Sequence, residues 1–320
     1  MKLLSTFTIA LLINGIIAAD KFTTRSVGAP NTVDYRVYFE NNGQVISPFH
    51  DIPLFANEEK TIYNMVVEIP RWTNAKNEIN KETSLNPIMM DVKNGRPRFV
   101  TNIFPHRGYI WNYGAFPQTW EDPNHISKCT QKKGDNDPID VIEIGSNVAT
   151  VGEVKQVKIV GIVGLIDQAE TDWKVVVIDV EDTYADRIND IDDVGKYMPC
   201  YLEATNSFFT NYKLPAGDKK NSIAFKGKPQ GKDFATKIVL ETHEYWKALV
   251  NGTTKADKIQ KINLTVKDSP FLTDPNNYTI TSVPVDNPLP PAPIPKEIDH
   301  WYFLSGDKIT NPVRKEARDV

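Results

Sequence analysis

Beyond an apolar leader at residues 3–19, the apolar positions gather in short β-branched runs separated by turn residues. The runs are IYNMVVEIP (62–70), RPRFVTNIF (96–104, after the turn pair Asn94-Gly95), VIEIG (141–145), EVKQVKIVGIVGLID (153–167) and WKVVVIDV (173–180). Their connections are short or irregular and do not alternate regularly with helices. That pattern predicts a small barrel or curled sheet rather than a doubly wound parallel fold. Helical spacing appears late. In DFATKIVLETHEYWKALV, Phe234, Ile238, Tyr245, Trp246 and Leu249 recur near a 3.6-residue period, with Asp233 as expected N-cap and Gly252 just past the end. A second helix is expected within 190–212, with Pro199 near its start. Residues 269–295 are proline-rich and predict an extended arm along the surface; the aromatics of the HWYFLSG segment beyond it predict that the arm docks. The expected fold class is thus mainly β with flanking α-helices (α+β). With no internal repeat and no two-domain split, one domain is expected over 20–320, its C-terminal arm beginning near 250.

Composition narrows this only slightly. The chain has 320 residues, 24% of them charged and 40% hydrophobic, with a net charge of -4. Those are ordinary globular values, and the mild acidity leaves no electrostatic footprint for nucleic acid. Cys129 and Cys200 are the only cysteines, too few for a disulfide scaffold or a four-thiolate zinc site. The leader has one lysine, an apolar stretch and small residues before Asp20, the layout of a signal peptide over 1–19. It predicts secretion or a place in the secretory pathway and no stable membrane anchor. The sequons at Asn251, Asn263 and Asn277 occur about as often as chance would place them.

The candidate chemistry centres on GDNDPIDVIEIG (134–145), where Asp135, Asp137 and Asp140 fall close together. An EF-hand loop begins Asp-x-Asp too, but counted from Asp135 this stretch has Ile139 at position 5, Asp140 where glycine is required and Ser146 where glutamate is required. A solvated acidic turn is the bland alternative. Val141, Ile142 and Ile144 argue against it, because they place the cluster at the mouth of a buried strand. A divalent-cation site fits better: magnesium takes carboxylate oxygens and shares its shell with phosphate. On extended chain Asp135 and Asp137 lean to one side, and Pro138 brings Asp140 round. A hairpin through LIDQAETDWKV would set Asp167 near Asp172. Glu68 and Glu78 form a third acidic set. The interleaved Lys76, Arg98, Lys174 and Lys213 suit the oxygens of a metal-bridged polyphosphate.

GDNDPIDVIEIG closely resembles the signature of soluble family I inorganic pyrophosphatases of the eukaryotic type. HDIPLFANEEKTIYNMVVEIPRWTNAKNEI, NIFPHRGYIWNYGAFPQTWEDP, ETDWKVVVIDV and NYKLPAG are similar to stretches of that family, in the same order and at like spacing. The resemblance spans roughly residues 22–250 and returns at IDHWYFLSG. It implies magnesium-dependent hydrolysis of pyrophosphate to two phosphates, a five-stranded OB-like barrel with flanking helices, and a homodimer. By resemblance, Asp135, Asp140 and Asp172 hold the first metal, with Asp140 reaching a second; Asp167 and Asp172 hold a third and Glu78 serves a fourth. Glu68 and Asp91 support the cluster. Lys76, Arg98, Lys174, Tyr212 and Lys213 contact phosphate oxygens, Tyr109 and Tyr113 line the site, and Asp137 orients the attacking water and accepts its proton.

Two readings compete with the enzyme. A non-catalytic subunit of a chromatin-remodelling-type assembly is also similar to this family, but a nuclear protein carries no hydrophobic leader. A protein that binds metal or phosphate without turnover would not need Asp137 and the full basic set. Family members work in cytosol or mitochondria, which makes the cytoplasm the alternative compartment. His106 and His243 are expected to be packing or surface residues, and Trp111, Phe116 and Trp120 to pack around the site.

Overall fold

The computed structural model describes residues 22–310 apart from 257 and 307. The expected signal peptide over 1–19 lies outside the described residues. Five strands organise the molecule: β1 (Tyr63–Ile69), β2 (Asn112–Ala115), β3 (Asp140–Glu143), β4 (Val154–Asp167) and β5 (Glu170–Asp179). β1 pairs with β2, β2 with β3, β3 in parallel with β5, β5 with β4, and β4 back with β1. The hydrogen bonding therefore closes a ring. Strand sides that face inward carry apolar residues such as Met65, Val67, Val141, Ile159, Val175 and Val177, all buried. Gly114 permits the closest backbone approach in the ring, since a Cβ there would lie 1.9 Å from the carbonyl oxygen of Val66.

Three helices lie against this frame. α3 (Lys232–Val250) packs on β4. Its buried stripe is Ala235, Ile238, Val239, Thr242, His243, Trp246, Leu249 and Val250, a spacing of three and four residues that gives one continuous apolar face. Phe234 and Tyr245, expected on that face, are only partly buried. The N-cap is Gly231, and Asp233 falls instead in the first turn, where it complements the helix dipole. His243 is a packing residue, as expected: its Nδ1 lies 2.6 Å from the carbonyl oxygen of Gln118 and its ring stacks on Trp246. The helix expected within 190–212 is two helices, α1 (Ile191–Tyr197) and α2 (Tyr201–Asn211). Pro199 forces the residue before it out of the helical region, and Met198 sits at φ -128, ψ 68. Asp190 and Asp193 form a capping box at the start of α1.

The run 96–104 is not one strand. Arg96–Pro97 and Asn102–Ile103 are strands, while the intervening backbone bonds irregularly to residues 74, 76 and 91. A second sheet joins Phe22–Gly28, Arg36–Asn41, Gln44–Ile46, Asn77–Ile79 and Ile88–Met90. The proline-rich arm docks on it. Asn287–Pro288 pairs in parallel with Phe22–Gly28, and the Ser26 amide donates to Asp286 Oδ1 at 2.7 Å. Trp301–Ser305 then pairs with Asn102–Ile103. Both cysteines are free and exposed. Of the three sequon asparagines, Asn263 is fully buried, whereas Asn251 and Asn277 are exposed. Among the described residues no helix is long and apolar enough to cross a membrane.

Candidate active site

The β4–β5 hairpin shows why the acidic residues converge. Gln168 and Ala169 both take positive φ, the requirement of a two-residue turn whose twist matches its strands. Asp167 then faces Glu170 across the pair. Side chains two apart on a strand share a face, so Asp167, Glu170, Asp172 and Lys174 point the same way. β3 adds Asp140, directly opposite Lys174 on one side and Ala115 on the other. Tyr113, two residues before Ala115, shares that face. All of these side chains line one cavity of about 220 Å³, together with Glu68, Lys76, Glu78, Arg98, Tyr109, Asp135, Asp137, Tyr212 and Lys213. Every site residue expected from the sequence is brought here except Asp91. Asp91 stands behind the wall, where its Oδ2 accepts from Lys76 Nζ at 2.9 Å and Arg98 Nη1 at 2.8 Å.

Asp135 and Asp137 reach the cavity by a different route from the extended one expected. Asn136 between them adopts φ 72, in the left-handed region, and turns the chain. The Asp135 carboxylate points inward toward Asp172. The Asp137 side chain, 41% exposed, pairs with Lys81 instead. Both carboxylates still border the same cavity, and the Asp137 amide donates to Asp135 Oδ1 at 3.0 Å.

Acids and bases are interlocked. Lys174 Nζ is bonded to both Asp140 and Asp172 and lies 3.0 Å from the Tyr113 hydroxyl. Lys213 pairs with Asp167, whose Oδ2 also accepts from the Tyr212 hydroxyl at 3.1 Å. Lys76 bonds Glu78 at 2.6 Å. Burial would lower the Lys174 and Lys76 pKa values, but the facing carboxylates outweigh it and both lie well above the usual lysine value. Burial opposes ionisation of Asp91 too, yet Lys76 and Arg98 bring it below its ordinary value. Other buried carboxyls move the other way. Desolvation, then neighbouring negative charge, drives Glu68 and Asp135 well above the carboxylate range; burial also carries Asp172 up to about 7, against the pull of the Lys174 bonded to it and with the help of Asp140. Burial raises Tyr109 to about 12 and Tyr113 well above 10, so both phenols stay protonated hydrogen-bond donors at neutral pH.

One acidic member was absent from the sequence reading. Carboxylate oxygens of Glu121, Asp135 and Asp172 all lie within 4.8 Å of one another. Glu121 stands fourteen residues before Asp135, too far for any spacing argument. Backbone pairing carries it there: its N–H donates to the Asp137 carbonyl at 2.8 Å and its carbonyl accepts from Asn136 at 3.0 Å. The Trp173 amide donates to Glu121 Oε1 at 3.1 Å. Glu121 Oε2 and Asp167 Oδ1 are buried without a hydrogen-bond partner. Buried carboxylate oxygens left unpaired are costly, and a hard cation is the ligand that satisfies them. The donor set, all carboxylate oxygen, fits magnesium and its like and does not fit a soft metal.

A mostly β frame that gathers carboxylates and ammonium groups around one cavity defines a class: proteins that take hard cations together with an anion. The comparisons define the member. Residues 65–247 match the family model for inorganic pyrophosphatase. The chain is 54% identical over 286 residues to the inorganic pyrophosphatase of Candida albicans, covering 89% of this chain and 98% of that one. It is 52% identical over 289 residues to that of Yarrowia lipolytica, covering 90% and 99%. Among solved structures, inorganic pyrophosphatase from Schistosoma japonicum superposes with a TM-score of 0.82 at 46% identity, covering 89% of this chain and all of that one. An N-terminally truncated Trypanosoma cruzi vacuolar soluble pyrophosphatase, solved in complex with PPi, gives 0.68 at 37% identity, covering 78% and 98%. The chain belongs to the family I inorganic pyrophosphatases of eukaryotic type.

Proposed function

We propose that this protein hydrolyses pyrophosphate to two phosphates with magnesium ions held by Asp135, Asp140, Asp167, Asp172 and Glu78, joined by Glu121, and supported by Glu68 and Asp91. The carrying observation is the unpartnered buried oxygen of Asp167 in a cavity that also holds four cationic side chains, with a second such oxygen on Glu121, whose carboxylate lies within 4.8 Å of those of Asp135 and Asp172. Bound magnesium supplies charge neutralisation of the substrate and a more acidic water. The chain's own residues do the rest. Lys76, Arg98, Lys174, Tyr212 and Lys213 take phosphate oxygens. Tyr109 and Tyr113 donate hydrogen bonds into the site, which their raised pKa values preserve. Asp137, the more open of the paired aspartates, orients the attacking water and accepts its proton. The trypanosomal relative solved with PPi supports pyrophosphate as the ligand, and nothing in the relatives favours a non-catalytic assembly subunit. Phosphate release from pyrophosphate with magnesium, abolished by a chelator, tests the proposal; no release in either condition overturns it.

Finer features belong to the same reading. The closed ring of five strands supports the reading of an OB-like barrel that the resemblance implies. Residues 20–320 act as one catalytic unit after removal of 1–19, which sequencing of the native N-terminus checks. The working form is a homodimer. Trp72, Phe104, Trp301 and Phe303 leave an exposed aromatic surface of the kind dimers bury. Light scattering at the mass of one chain would contradict it.

A further inference from the structure

Lys81 has no task in the chemistry above, yet it touches the residue given the proton. It follows the strand Asn77–Ile79, in the connection that leads to Ile88–Met90. Its ammonium pairs with Asp137 Oδ1 and lies 2.9 Å from the carbonyl oxygen of Asn136. Its side chain is 21% exposed, so the stem is packed and the head is aimed.

The turn it grips needs gripping. Asn136 sits at φ 72, which costs a non-glycine residue conformational energy unless its surroundings hold it. Three groups do. Trp120 Nε1 donates to the Asn136 side-chain oxygen at 3.1 Å, the Glu121 carbonyl takes its N–H at 3.0 Å, and Lys81 takes its carbonyl. Lys81 alone reaches past the turn to the carboxylate that follows.

Lys81 is itself fixed from behind. Its carbonyl accepts the Gln260 N–H at 2.8 Å. Trp246 Nε1 donates to His50 Nδ1 at 3.0 Å, which leaves the His50 proton on Nε2, 2.9 Å from the Gln260 carbonyl. The anchor therefore runs from a buried tryptophan of α3 to the backbone of the lysine.

We infer that Lys81 is a positioning residue that sets the Asp137 carboxylate for the attacking water by clamping the Asn136 turn and the carboxylate together. The inference rests on Asp137 being the proton acceptor. Displacement of a reacting group by about an ångström costs on the order of a hundredfold in rate.

The test compares Lys81→Met, Lys81→Arg, Asp137→Asn and the double variant Lys81→Met/Asp137→Asn. Lys81→Met is expected to lower kcat by about 10- to 100-fold with KM for magnesium pyrophosphate changed by no more than about threefold. Lys81→Arg should recover most of kcat. In the Asp137→Asn background, Lys81→Met should add no more than about a threefold loss, because there is no acceptor left to place. Amide hydrogen exchange of Asn136 and Asp137, measured on metal-free protein, should quicken about tenfold in Lys81→Met while amides of β5 keep their rates. Should Lys81→Met fail to fold, Lys81→Gln is measured the same way. Lys81→Met (or Lys81→Gln) with wild-type kcat, or a loss that multiplies fully with that of Asp137→Asn, overturns the role. A raised KM at constant kcat overturns it too, in favour of a direct substrate contact. Asp137→Asn retaining wild-type kcat overturns the acceptor reading itself, a separate and recognisable result.

Discussion

Glu121→Gln separates stability from metal binding in opposite directions. Glu121 oxygens lie within 4.8 Å of those of Asp135 and Asp172. Two unit charges at that distance repel by about 3.5 kcal/mol at an effective dielectric constant of 20. Desolvation, with this repulsion, pushes the Glu121 carboxyl well above its usual range. A group whose folded pKa is raised stabilises the fold fully below its unfolded pKa, about 4.3, and loses that contribution as pH rises toward the folded value. Glutamine copies the neutral acid and keeps the oxygen that accepts from Trp173, but has no such pH dependence. In chelator, the variant and wild type should therefore unfold alike at pH 4. By pH 7 the variant should be more stable by about 3 kcal/mol, or roughly 5 °C in Tm for a chain of this length. Magnesium binding should move the other way, weakening at least about tenfold. Calorimetric unfolding in chelator and magnesium titration of the folded protein read the two effects. A variant that binds magnesium as wild type does, or is less stable than wild type in chelator at pH 7, refutes Glu121 as a member of the cation site.

Asp137→Asn should keep magnesium and pyrophosphate affinity while turnover falls about 10²–10⁴-fold; Asp140→Asn should lose metal affinity first, with activity partly restored by added magnesium. Equal losses of metal affinity in titration calorimetry would erase that division of roles. Calcium should bind and inhibit, because it accepts looser geometry and acidifies water less than magnesium; equal turnover with either ion in a phosphate-release assay contradicts the site. Asp172, raised by burial to about 7, should make metal-free protein lose stability as pH climbs from about 4 to 7, and denaturation midpoints in chelator that rise over that window would show the opposite. Gly114→Ala should destabilise by about 2–4 kcal/mol, since the added methyl meets the Val66 carbonyl; an unchanged urea midpoint would mean the strands separate freely there.

β-Branched apolar runs bounded by turn residues located β1, β4 and β5 to within a few residues, because those preferences are local. The late 3.6-residue stripe located α3 for the same reason. Asp135, Asp137, Asp140, Asp167 and Asp172 could be gathered from the sequence into one candidate site, and they do line one cavity, because they crowd at strand mouths, where a solvated turn would not be flanked by buried valine and isoleucine. Local rules also misled. They carried one strand over 96–104 where there are two short ones, placed one helix within 190–212 where there are two, and extended the chain across Asn136, whose backbone is left-handed.

By itself the sequence determined which residue types are present, their local periods and the family they match. Tertiary structure decided which of them meet. Glu121 joins Asp135 and Asp172 only because the backbone of residues 121 and 136–137 pairs across a loop. Lys81 meets Asp137 across a long stretch of chain, with its own carbonyl held by the still more distant Gln260. Register and ring closure are set by burial of distant apolar faces against one another, and no window of sequence contains both sides of such a contact.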